Sequence, residues 1–152
     1  MRRTRFDDAE CPIARVTDLF GEWWTPLVLR DAMYGITKFE DFQHELGVSR
    51  AILTARLSRL VDEGYMDKVP YQDRPVRHEY VLTDKGRAMW DVLAVMWRFG
   101  EEHLWEDGEQ PLVELAFRDT KERVRPVVVD EATGRPVDLA AIRIRSRTRT
   151  RR

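Results

Sequence analysis

With 152 residues, 43% hydrophobic and 35% charged, the chain has the makings of one globular domain with a small appendage, which excludes a wholly disordered protein. No apolar run approaches the roughly 20 residues that span a bilayer, the acidic Asp7-Asp8-Ala9-Glu10 start offers no signal peptide, and a single cysteine excludes an intrachain disulfide, so the chain reads as cytoplasmic with no membrane partner. The net charge of −1 is unevenly spread: residues 143–152 hold six arginines and no acid, which leaves residues 1–142 at −7, so any nucleic-acid surface must be a local patch.

Residues 1–10 read as a flexible arm. Pro12 to Phe20 steps Ile13, Val16, Leu19 and Phe20 at helical spacing, with Pro12 suited to the first turn. Thr25-Pro26 opens a second helix that Gly35 ends. Thr37 with Glu40 three residues on forms a capping-box pattern for a third, which turns Phe39, Phe42 and Leu46 inward and breaks at Gly47. Ser49 caps a fourth with the inward stripe Leu53, Leu57, Leu60 and Val61. Its other side presents Arg50, Ala51, Thr54, Ala55 and Ser58, flanked by Arg56 and Arg59.

Residues 65–71 and 77–82 alternate loosely about Gln72-Asp73-Arg74-Pro75, the signal of a hairpin. Thr83 then caps a long helix whose many apolar residues exceed one thin stripe, which calls for a second partner such as a twofold-related copy. Beyond Asp107-Gly108-Glu109, residues 111–118, 124–129 and 140–145 read as three short strands. The domains expected are thus an arm (1–10), a helical domain with a hairpin and a long last helix (11–105), a small β-rich extension (106–145) and a disordered arginine-rich tail (146–152), the fold class being α+β and mainly α.

The chemistry lies in the helix pair and the hairpin. A helix N-terminus offers backbone N–H groups to phosphate, and Ser49 adds a hydroxyl. Arg50 suits guanine or phosphate, while Thr54 and Ser58 suit base edges. Lys68, Arg74 and Arg77 of the hairpin suit a backbone or a minor groove, with Asp73 and Glu79 diluting the patch. The bland alternative is a helical hairpin with a solvated charged face. Paired carboxylates, a nucleophile with its base and a phosphate loop are all missing, so no enzyme and no cofactor are expected. His44, His78 and His103 lack metal-ligand spacing, so no metal is expected either. Trp23, Trp24, Trp90 and Trp97 line either an effector pocket or a core and dimer interface. The arginine tail either adds salt-sensitive DNA affinity or is simply disordered.

Cys11-Pro12, Gly21-Glu22-Trp23, Leu27-Val28-Leu29-Arg30, Phe39-Glu40-Asp41-Phe42, Val48-Ser49, Leu53-Thr54, Leu57 and Glu63-Gly64-Tyr65 make an ordered set, completed by Arg77-His78-Glu79-Tyr80-Val81-Leu82-Thr83 and Lys85-Gly86. In that order they resemble the HxlR-type winged helix-turn-helix transcriptional regulators of the MarR-like group over residues 11–102. The resemblance implies a homodimer joined through its first and last helices on an inverted-repeat operator; the function expected is a repressor released by a small effector or by modification of Cys11. Similar regulators include thiol sensors with a cysteine in this place. The helix dipole and Arg15, one turn on, favour a thiolate there; the alternative is a small residue that merely starts a helix. Ala55 departs from the longer polar residue of similar proteins, and the extension lies outside the shared domain. The competing function is a winged-helix protein-interaction module without specific DNA binding, which the acidic body favours.

Overall fold

The computed structural model describes Phe6, residues 11–106, Glu109 and residues 111–143. The arm, apart from Phe6, and the arginine tail expected at the two ends lie outside the described residues. Two compact units divide the chain, residues 1–93 and 94–152.

In the first unit four helices precede a hairpin: α1 (Pro12–Phe20), α2 (Trp24–Met33), α3 (Phe39–Leu46) and α4 (Arg50–Asp62), then β1 (Met66–Asp73) and β2 (Val76–Leu82), and then α5 (Asp84–Ala88). A longer helix, α6 (Trp90–His103), runs across the boundary between the units. One core joins these pieces. Val28 and Leu29 of α2, Phe42 of α3, Leu53 and Leu57 of α4 are fully buried, and Leu19, Leu46, Val48, Leu60, Met66 and Met89 complete the cluster. Burying side chains of this size stabilises by about 1.5–3 kcal/mol each relative to exposure.

Local chemistry sets the joints. Gly47 ends α3 at φ 62°, a conformation that disfavours side chains, and hands the chain to α4. Ser49 caps α4 by accepting a hydrogen bond from Ile52 N at 3.3 Å. Gln43 Nε2 donates to Val48 O at 3.4 Å and closes the turn from its other side. The hairpin pairs Met66 with Leu82, Lys68 with Tyr80 and Asp73 with Val76, slipping by one residue between Pro70 and Gln72. Its loop is Arg74-Pro75, joined by a cis peptide bond and shorter than the four residues expected. Thr83 Oγ1 accepts from Gly86 N at 3.1 Å and donates to Gly64 O at 2.7 Å, pinning the start of α5 to the end of α4.

Several expectations need correction. The helix expected after Thr83 is interrupted: Met89 N bonds Gly86 O at 3.1 Å, a tightened turn that separates α5 from α6. The capping box at Thr37 does not form, and Lys38 is the uncapped N-cap of α3. Thr37 O instead receives Tyr80 N at 2.7 Å and Lys38 bridges Glu79, so the backbone at 37–38 lies along β2 as an added rung. Helix α2 begins one residue before the Thr25-Pro26 expected, at Trp24.

In the second unit the tail of α6 and residues 111–143 are held by polar pairs. Glu101 meets Arg123 at 3.4 Å, Glu102 meets Arg125 at 2.6 Å, and Arg98 donates to Pro126 O at 3.0 Å. The three strands expected here are not formed among the described residues. Isolated bridges join Ala116 to Arg123 and Val129 to Pro136, and Leu139–Ala141 is a 3-10 turn. Residues 144–145 lie outside the described residues. Pro126 precedes the valine run 127–129 and Pro136 faces Val129 across the turn, and neither has an N–H to offer a ladder.

Candidate nucleic-acid interface

Helix α4 divides cleanly. Leu53, Leu57 and Leu60 are buried, while Arg50, Ala51, Thr54, Ala55 and Ser58 are all exposed on the faces left free. A buried stripe opposite an exposed, small and polar face lets a helix enter a major groove without surrendering its seat in the core. Ser49 is exposed too, and its oxygen is engaged in the cap; the hydroxyl proton stays available for a phosphate.

Arg50 is held in place rather than adrift. Its guanidinium lies 4.8 Å from the centre of the Phe39 ring at the start of α3. The neighbouring Lys38 places its ammonium 5.3 Å from the Tyr71 ring of the hairpin. Two consecutive residues, Lys38 and Phe39, therefore connect α4 to the hairpin through cation–aromatic contacts, each worth about 0.5–1 kcal/mol at an exposed site. Sequence reading passed over Lys38, because a lone lysine before a helix carries no signal until the hairpin is folded beside it. It passed over Ile52 as well, an exposed apolar residue of α4 suited to a thymine methyl.

On the wing, Lys68, Arg74 and Arg77 are exposed, and among the described residues no ion pair or side-chain hydrogen bond engages them. Gln72 Nε2 donates to Arg74 O at 3.1 Å and to Pro75 O at 3.0 Å, which fixes the tip that carries Arg74. Three unengaged cations on a braced ribbon can follow a phosphate backbone.

The two flanking arginines of α4 behave differently. Arg56 Nη2 meets Glu22 Oε2 at 3.0 Å, and Arg59 Nη2 meets Asp18 Oδ2 at 2.9 Å. Arg59 Nε also meets Glu63 Oε1 at 2.6 Å. Burial works against the charge on Arg59, but Glu63 and then Asp18 outweigh it and raise its pKa. Both arginines border an open groove of about 560 Å³, with Asp18, Glu22, Asp62 and Glu63 as its acids and Ala55 and Ser58 on its rim.

Cys11 is exposed at the N-cap of α1. The tryptophans are dispersed in environment: Trp23 is 88% exposed, Trp24 packs against the core of the first unit, and Trp90 is exposed at the start of α6. Trp97, in the second unit, is half-buried and leaves its indole N–H without a partner. None of the four borders the groove beside α4. Among the described residues no group of three or more His, Cys, Asp or Glu side chains is placed to hold a metal, and no helix is long and apolar enough to cross a membrane.

The profile of the HxlR-like helix-turn-helix family matches residues 19–108. An uncharacterised HTH-type transcriptional regulator of Mycobacterium tuberculosis is 36% identical over 130 residues, covering 82% of each chain. The crystal structure of PA1607, described as a candidate transcription factor, superposes with a TM-score of 0.84 at 38% identity over 93% of this chain and 99% of that one. The redox regulator HypR in its oxidised form superposes at 0.56 with 26% identity, over 61% of this chain and 97% of its own.

Proposed function

Because the chain belongs to the HxlR-like helix-turn-helix family, and so to DNA-binding transcription regulators rather than enzymes, we propose that it is a repressor that reads an inverted-repeat operator as a homodimer. The observation that carries this reading is the division of α4: a fully buried leucine stripe opposite the exposed Arg50, Ala51, Thr54, Ala55 and Ser58. Lys68, Arg74 and Arg77 of the wing contact the flanking backbone. Apolar residues left open on the first and last helices support the dimer: Ile13 on α1 is 73% exposed and Phe99 on α6 is 56% exposed.

Release from DNA follows from a small effector or from Cys11. The likeness to a redox regulator supports a thiol route. Two Cys11 thiols of a dimer, or one and a small thiol, join as a disulfide while an oxidant takes up two electrons and two protons; an electrophile alkylates the thiol instead. A shift of α1 then alters the spacing of the recognition helices.

The test is a competition titration with duplex from the region upstream of the chain's own gene against random duplex at physiological salt. The repressor reading expects a preference of about 10³-fold or more for the upstream duplex. Equal affinity for both would favour a winged-helix module that meets proteins instead.

A further inference from the structure

Arg56 and Arg59 lie on the recognition helix, where free arginines would be expected to grip phosphate, yet both are turned back onto α1 and the segment just past its end. Arg59 is the more committed. Its guanidinium donates to the Asp18 carboxylate at 2.9 Å, to the Asp18 backbone carbonyl at 3.0 Å and to Glu63 Oε1 at 2.6 Å. Asp18 is buried in the last turn of α1, where a cation also complements the helix dipole. Arg56, with 16% of its side chain exposed, reaches Glu22 just past the end of the same helix. The leucine stripe holds α4 in the core through contacts that are individually non-directional. A guanidinium bound at three acceptors is directional.

We infer that Arg59, seconded by Arg56, is a positioning residue for DNA recognition, which fixes the presentation of α4 by clamping it to α1 and does not itself touch DNA. The inference rests on the operator-binding reading above. It also gives that reading a physical link: whatever moves α1 is passed to the reading face through these ion pairs. Both partners come from one compact unit, so the clamp is complete within a single chain.

The test is operator and random-duplex binding measured across a salt series for wild type, Arg59→Met and Arg59→Lys. A positioning role predicts that Arg59→Met lowers operator affinity by about tenfold, with random-duplex affinity and salt slope unchanged. Arg59→Lys keeps the charge but cannot donate in the same fork, so it should resemble Arg59→Met and not wild type. A direct phosphate contact predicts the opposite: a salt slope shallower by about one, largely restored by lysine. That result overturns the inference, as does an operator preference that survives in every variant. Should Arg59→Met fail to fold, Arg56→Gln and Glu22→Gln probe the exposed end of the same clamp and carry the same expectation at smaller amplitude. If wild type itself prefers no operator, the operator-binding reading fails first, which is a distinct outcome.

Discussion

Arg50 and Arg59 share a helix and a charge, and their surroundings engage them differently. Arg50 stacks on Phe39 and faces outward, whereas Arg59 is engaged by Asp18 and Glu63. If Arg50 reads a base, Arg50→Ala weakens operator binding by about 1–3 kcal/mol in a gel-shift titration, and unchanged affinity removes it from the reading residues. The same logic applies to Cys11 at the N-cap of α1: oxidant should release wild-type protein from DNA and leave Cys11→Ser bound, and a serine variant that still lets go ends the thiol route. The exposure of Ser49, Arg50, Thr54 and Ser58 was legible in the sequence because a helical stripe predicts its own opposite face. The partners of Arg56 and Arg59 were not legible. Asp18 lies 41 residues from Arg59, and spacing along one helix is silent about acids on another.

At the scale of elements, the joint between α4 and α5 leaves no room for a side chain at Gly86. A Cβ on Gly86 would lie well inside van der Waals contact of the Tyr65 carbonyl oxygen, which is backbone and cannot swing aside. Gly86→Ala should therefore cost about 1–3 kcal/mol in urea unfolding, and an unmoved midpoint would contradict this packing. Asp31 offers a second probe. Burial pushes its carboxyl above the ordinary aspartate range, against the hydrogen bond and charge of Arg30. A folded-state pKa above the unfolded one gives stability that is present below the unfolded value and lost as pH rises through the folded value. Asp31→Asn should thus gain thermal stability over wild type with rising pH and melt higher at neutrality; a lower melting point there would sink this account. Helix boundaries at Pro12, Ser49 and Thr83 were readable, since proline and cap residues act locally. Thr37 misled because β2 claims its carbonyl, and the valine run 127–129 misled because β-propensity cannot supply the donors that Pro126 and Pro136 lack.

For the molecule as a whole, family and general architecture were legible, because an ordered set of short motifs spans most of the first unit. The extension was not, because its described residues make scarcely any core. Ala94 is the one buried residue among those described in the second unit, and ion pairs tie Arg123 and Arg125 to Glu101 and Glu102 of α6. A body at −7 over residues 1–142 is not drawn to DNA by its overall field, so on the proposed reading affinity comes from local cations, and a dimer would double them. The central claim is that two copies of this chain read two copies of one half-site. Footprinting of the full-length protein on its own upstream region tests it most directly. The account predicts two protected segments related by a dyad, their centres about 10–10.5 base pairs apart or a multiple of that. Protection of a single unsymmetric segment, or none below the concentration that coats random DNA, would contradict it.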